Sequence, residues 1–416
     1  MRFYVVILFF FVVSLSRAQS YSLSQLEASF LKENYLLLAA KFEVSKAEAE
    51  VVQEKVWENP SLAISEVNLW TNAGSEVLSP LFGRYGKTQQ VSVELEQVIE
   101  TAGKRKKRVA FKRLEHRFAV YEFEELVREL KKELRQHFHH LASLKNRQAQ
   151  LVGMVKLFEQ LEKQYRRQTL QGNVSKADYN RIHNELLRMQ KDLVDIEADA
   201  ESSLSTLQIL TGINDLEIEK LLVEESFVSR KLLLPKDVIS LIADQNIGMK
   251  KQSTAIAMAN QQLELEKAQR TPDLTLQLGY DRGGNIMQDF IGLGVQIDLP
   301  VFNRNKGNIQ RAKHQIDQEQ LTYAALQWEL EQTVQRYKSQ LLKYENVLNQ
   351  WSSEMEGEQD TMVESYRKHL ENRQVTLLEF IDYVQSHREA RQSFLELWQN
   401  YNNTIEELQY LIGKDF

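Results

Sequence analysis

The sequence predicts a mainly α-helical protein with a small β part, built from one helix–strand–strand–helix–helix unit used twice. Three observations carry this. The chain matches its own second half over long stretches. Glycine and proline number only 16 and 5 among 416 residues, so few positions interrupt a helix. Short paired segments follow the first helix of each unit, and three of the four show a two-residue alternation of apolar and polar side chains.

The duplication organises the chain. Leu26 falls on Val238, Asn34 on Asn246 and Glu54 on Glu266. In a second register Val93 falls on Val295, Lys104 on Lys306 and Ala110 on Ala312. In a third, Tyr165 falls on Tyr366, Asp178 on Glu379, and Leu207-Gln208 on Leu408-Gln409. A connection about ten residues longer in the first copy accounts for the change of register between Pro60 and Val91.

Residues 1–18 read as a signal peptide. Arg2 is the positive start, 3–13 is an apolar run too short to span a membrane, and Ser16-Arg17-Ala18 is a small-x-small cleavage site. Residues 19–212 form the first repeat, 213–234 a linker, and 235–416 the second repeat. Each repeat opens with a helix, at about 23–58 and 235–270, and Pro60 or Pro272 ends it. Strands follow at about 61–70 and 90–99, then at about 273–281 and 290–300. A very long helix comes next, at about 104–168 and 306–369. It breaks near Gly172 or Asn372-Arg373, and a final helix stops at Gly212 or Gly413, as glycine past the last turn does. Helices of ~65 residues would extend about 100 Å, a length that coiled-coil packing supports and a globular core does not.

In the second copy Leu274, Leu276, Leu278 and Tyr280 alternate with polar or small residues, as do Ile291, Leu293, Val295, Ile297 and Leu299. The first copy has Val91, Val93 and Leu95, while the stretch from Leu62 to Trp70 alternates poorly. Strands of this length cross a bilayer when tilted, but four do not close a barrel, and each unpaired backbone group in lipid costs several kcal/mol. Two readings stand: soluble hairpins packed on helix ends, or strands that several protomers share in one membrane barrel.

Composition excludes much else. Without cysteine there is no disulfide, thiolate metal site or thioether lipid anchor. A formal charge of −6 with no large basic block gives no nucleic-acid footprint. No hydrolase, phosphate-loop, zinc-protease or calcium-loop motif is present, so no enzyme and no cofactor are expected. His137, His139 and His140 invite a metal reading, since the first and last share a helix face. No carboxylate or cysteine beside them completes a site, and a solvated face is the expectation.

Two stretches after the second strand of each copy carry a resemblance: Ala102-Gly103-Lys104-Arg105 with Arg108, and the run from Leu299 to Ile309, LPVFNRNKGNI. Together with the duplicated plan they resemble the outer membrane efflux protein family, the TolC-like ducts, in its heavy-metal branch of cobalt–zinc–cadmium and copper–silver efflux. The resemblance implies a homotrimer whose twelve strands close one transmembrane β-barrel in the outer membrane of a Gram-negative bacterium. Long helices would form a periplasmic α-barrel, with 213–234 in an equatorial belt. The loops at about 71–89 and 282–289 would face outside, and the breaks near Gly172 and Asn372 would be periplasmic tips. The chain would be the passive outer-membrane duct of a tripartite efflux system, with heavy-metal cations as cargo. Its partners would be outer-membrane lipid, a periplasmic adaptor and an inner-membrane pump of the resistance-nodulation-division type.

The same resemblance implies residue roles. Glu379, Asp382 and Asp178 would line the periplasmic entrance, and threefold repetition would make an acidic ring that favours cations. The bland alternative is solvated helix-face charge. Arg166, Arg167, Arg181, Arg367 and Arg373 are ion-pair candidates for holding the entrance shut. Leu170, Gly172, Val174 and Val375 are candidates for docking the adaptor. Two rivals to the duct are a periplasmic adaptor, which needs a separate β-rich domain, and a coiled-coil envelope scaffold, which needs no lipid-facing alternation.

Overall fold

The computed structural model describes residues 20–68, 90–223, 229, 238–283, 289–351 and 353–416. In chain order the elements are α1 (Leu23–Glu33), α2 (Tyr35–Glu54), β1 (Ser61–Asn68), β2 (Gln90–Ile99), α3 (Lys104–Leu170) and α4 (Lys176–Thr211). A short 3-10 turn (Ile218–Lys220) follows, then α5 (Val238–Gln245), α6 (Ile247–Ala268), β3 (Leu274–Arg282) and β4 (Asp289–Ile297). The chain ends with α7 (Lys306–Leu348), α8 (Ser353–Glu371) and α9 (Leu377–Ile412). The expected signal peptide, the loop at 71–89, most of the loop at 282–289 and residues 224–228 and 230–234 of the linker fall outside the described residues.

The duplicated plan is present, with three corrections to its helices. The opening helix of each repeat is broken, at Asn34 and at the aligned Asn246. Both asparagines take extended backbone and cap the helix that follows: Asn34 Oδ1 accepts from Leu37 N at 3.0 Å, and Asn246 Oδ1 from Met249 N at 2.8 Å. An asparagine that serves its own backbone offers an alternative to the helix ladder, and no glycine or proline announces it. The expected helix at 306–369 is likewise two helices, parted after Leu348. Tight bonds from Gln350 N to Val347 O and from Trp351 N to Leu348 O close α7, and Trp351 stacks on Phe394 of α9 at 5.0 Å. The first copy has no such break, and α3 runs for 67 residues.

The described residues divide into two compact units. One holds the chain up to Leu38 with Leu126–Ile242 and Leu330–Phe416; the other holds Ala39–Glu125 and Ala243–Glu329. The first is a helical assembly whose buried seam is set by period. On α9, positions 377, 380, 384, 387, 394, 398, 401, 405, 408 and 412 are all buried. These steps of three, four and seven are the 3.5-residue repeat of coiled-coil packing. Phe380 of that seam stacks on Phe158 of α3 at 6.0 Å.

Charge also lies inside this unit. Arg135 of α3 donates to Glu27 of α1 at 2.5 Å, to Glu406 and Gln409 of α9 at 2.9 and 2.6 Å, and to Asp415 at 3.1 Å. Lys131 joins it on Asp415 at 2.6 Å. Burial alone would push the Glu406 carboxyl up, but bonds from His139 and Arg135 outweigh it and hold the group below its ordinary range. The same balance, with Lys131 and Arg135 as partners, lowers Asp415.

Candidate functional site

The second unit carries one antiparallel sheet in the order β1-β2-β3-β4. Its register decides its chemistry, because directly opposed residues share a face. One row reads Ile64, Val93, Tyr280, Ile291, and the next Leu62, Leu95, Leu278, Leu293. Below them Gln97 sits beside Leu276 and Val295, and Ile99 beside Leu274 and Ile297. The opposite face reads Ala63, Glu94, Gly279, Gly292, then Ser61, Glu96, Gln277, Gly294. Phe290, lying over Gly292, and Val98, opposite Thr275, are apolar residues on that face.

The apolar face is bare. Leu293 is 87% exposed, and Leu62, Ile64, Ile291 and Val295 are all exposed with it. Among the described residues β1 and β4 each have a partner on one side only. The poor alternation expected of β1 is corrected by register, since Leu62 and Ile64 extend the apolar rows set by the other three strands. β4 also ends earlier than expected, at Ile297, before Leu299 and Pro300.

At one end of the sheet every strand meets a helix. Thr101 N donates to Asp273 Oδ1 at 2.8 Å, and Lys104 Nζ, almost fully buried, reaches Asp273 Oδ2 at 2.7 Å. Arg108 bridges Glu54 of α2 and Glu100. The glycine-lysine-arginine turn is thus a clamp between strand and helix. Gly103 takes a positive φ of 67°, and its aligned partner Asn305 takes 53°, which asparagine tolerates better than most residues. Asn305 Nδ2 then donates to the Glu266 carbonyl at 2.9 Å, and Glu266 is the counterpart of Glu54.

The first unit carries the two helical turns. Asn173 N donates to Gln168 O at 2.9 Å, and its counterpart Gln374 N donates to His369 O at 2.8 Å. Gly172 (φ 75°) and Arg373 (φ 59°) hold the same left-handed position in the two copies. Leu170 is 84% exposed, and Val174 and Val375 are half-buried. Asp178 and Glu379 both stand three residues past a helix cap. Ser175 Oγ donates to Asp178 Oδ2 at 2.7 Å, and Glu379 Oε2 accepts from Thr376 N at 2.7 Å. The Thr376 backbone N–H, then its hydroxyl, hold the Glu379 carboxyl below its ordinary range. Asp382, one turn on, is exposed.

The arginines divide by partner. Arg181 lies 3.0 Å from Asp178, and Arg367 is held by Glu364 and Glu371 of its own helix. Arg167 donates to the Lys163 carbonyl, while Arg166 and Arg373 are exposed. The histidines do meet carboxylates, brought from other helices: Glu406 at 3.5 Å from His139 and Asp199 at 2.9 Å from His140. Burial lowers the His137 imidazole below its ordinary range. Among the described residues no group of three or more His, Asp and Glu stands together to hold a metal ion.

Comparison with known proteins follows from this geometry. The profile of the family described as outer membrane efflux protein matches residues 27–213 and 238–414. The cobalt-zinc-cadmium resistance protein CzcC of Cupriavidus metallidurans is 22% identical over 297 residues, covering 70% of this chain and 66% of its own length, just under two thirds. Among solved structures, CusC aligns with a TM-score of 0.74 at 16% identity, covering 94% of this chain and 92% of that one. The CmeC outer membrane channel of Campylobacter jejuni aligns at 0.76 and 16%, covering 94% and 85%.

Proposed function

Since the chain belongs to the outer membrane efflux protein family, we infer that it is the outer-membrane channel of a tripartite efflux system, a passive duct from periplasm to exterior. One observation carries this reading: among the described residues, a four-stranded sheet with one largely apolar, exposed face and two open edges. In water that face would drive aggregation, and in lipid the open edges would leave backbone groups unpaired. Placing the apolar face in lipid answers the first demand, and pairing β1 of one copy with β4 of the next answers the second, since rotational closure of copies leaves no edge. Three copies would make the twelve strands of the family's barrel. A soluble scaffold gives no reason for the apolar face, and family membership sets the adaptor aside.

Transport on this reading needs no catalytic group in the chain. The pump supplies energy and selects cargo, and an adaptor docks at the turns that present Leu170, Gly172, Val174 and Val375. Heavy-metal cations are the cargo that CzcC's resistance to cobalt, zinc and cadmium suggests. Glu379 and Asp382, repeated around a threefold axis, would form a cation-favouring ring at the entrance, with Asp178 and its Arg181 beside it.

Two measurements test this. Fractionated cells should yield the protein in the outer membrane, and an unheated detergent extract should run as a stable trimer. A dissolved monomer in the periplasmic extract would end the reading. For the ring, Glu379→Ala with Asp382→Ala should relieve block of single-channel conductance by divalent cations. Block of unchanged depth would count against the ring while leaving the duct standing.

A further inference from the structure

The strand-to-helix junction holds more cation than its internal bonds use. Lys104 and Arg108 are committed to Asp273, Glu54 and Glu100. Beside them Lys106, Arg270, Arg304 and Lys306 are exposed, and among the described residues no carboxylate lies within ion-pair distance of them. Arg105 stacks its guanidinium over the Trp57 ring at 3.9 Å from the centroid. Glu58 and Asp298 are the exposed acids at the same level, and the cations outnumber them.

Two physical points make this excess informative. α3 starts with Lys104-Arg105-Lys106-Lys107-Arg108 and α7 with Lys306, and neither has an acid in its first turn. Cations at a helix N-terminus oppose the helix dipole, so an anion from outside the chain would relieve the arrangement. The basic rim also continues the apolar sheet face. Below β4, Leu299, Val301 and the fully exposed Phe302 lead directly into Arg304, and Trp57 lies beside Arg105. Apolar rows, then aromatic side chains, then cations is the order in which a bilayer presents hydrocarbon, interface and phosphate.

We propose that this junction is a headgroup-binding rim for anionic phospholipid, formed by Arg105, Lys106, Arg270, Arg304 and Lys306 at the helix-side end of the apolar sheet face. It rests on the outer-membrane reading above and adds the chemistry of the lipid. Phosphate groups of the leaflet nearest the helices would sit against these side chains and fix how deep the sheet lies.

The test uses the full chain in vesicles of phosphatidylglycerol and phosphatidylcholine in equal parts, re-extracted with detergent and analysed for co-purifying lipid. Wild type should retain phosphatidylglycerol over phosphatidylcholine by about fivefold, the preference that a single net cation at an anionic surface gives. The variant Lys106→Gln/Arg270→Gln/Arg304→Gln/Lys306→Gln should retain both equally. A control with the same loss of charge, Lys41→Gln/Lys46→Gln/Arg188→Gln/Lys191→Gln, should keep the preference. Equal retention by wild type, a preference that survives in the rim variant, or the same loss in the control would overturn the proposal. If the rim variant does not assemble, salt decides on wild type alone. Screening at about 0.5 M should abolish the preference, and indifference to salt would overturn it. Trimer assembly is scored separately on an unheated gel, so failure of the outer-membrane reading and failure of the rim appear in different measurements.

Discussion

Single residues in this chain do their work in aligned pairs. Asn34, 2% exposed, caps α2 with its Oδ1 and satisfies the Leu210 carbonyl at the end of α4 with its Nδ2 at 2.9 Å. Asn34→Ala therefore loses a cap and orphans a buried carbonyl, and should cost about 2 kcal/mol by thermal unfolding in detergent. Arg135 is the larger liability. Its removal would leave Glu406, 3% exposed, without its cation, and Arg135→Ala should cost about 3–5 kcal/mol at neutral pH. The sign of the pH dependence follows from linkage. Glu406 and Asp415 have lowered folded-state pKa values, so the stability they give is present above the ordinary carboxyl range and is lost as pH falls through the folded values. Unfolding curves should therefore show wild type losing its advantage over Arg135→Ala as pH falls below the ordinary carboxyl range, where Glu406 takes up a proton and no longer needs a partner. At the turns, Gly172→Ala should cost about 1 kcal/mol, since open space surrounds the position and only its positive φ resists a side chain.

At the scale of elements, the sheet and the long helices obey different rules. Helix faces repeat every 3.5 residues, so α9 is legible as a coiled-coil strand from its own sequence. A β face repeats every two residues, but what it faces depends on its neighbours. β1 shows this: alone it alternates poorly, and beside β2 its Leu62 and Ile64 complete rows that cross the whole sheet. A charge on that face is expensive and one on the other face is not. Leu293→Arg should cost about 2–4 kcal/mol of barrel stability and deplete the protein from the outer-membrane fraction. Gln277→Arg, in the adjoining polar row, should assemble normally and change only ion selectivity. The break between α7 and α8 belongs here too. Polar residues and Trp351 replace one stretch of helix, whereas α3 is continuous through the matching region.

The single chain is an incomplete molecule. A single copy presents an exposed apolar sheet face and two edge strands; lipid would cover the face, and assembly would pair the edges. The proposed acidic ring has the same character, because Glu379 and Asp382 are exposed carboxylates in one chain and would become a selective field only when repeated about an axis. Local capping gives Asp178 and Glu379 a structural use that does not depend on transport. Replacement of Glu379 by glutamine separates the two uses: the side-chain oxygen can still accept the Thr376 bonds, while the charge is gone. Helix content by circular dichroism should stay unchanged and divalent block should weaken; block that stays at full strength would assign Glu379 to capping alone.

Much of the architecture was decided by the sequence alone: the duplication, the two strands between helices in each copy, the turns at Gly172 and Arg373, and the glycine stops at Gly212 and Gly413. These follow from local rules, because period, capping and left-handed φ act over a few residues. Tertiary structure alone decided how the apolar residues of the four strands line up in rows, where Asn34 and Asn246 break their helices, and that Arg135 gathers Glu27, Glu406 and Asp415. It also brought Asp199 to His140, which no neighbour in sequence supplied. Those partners lie up to hundreds of positions apart, and only packing sets the distance between them.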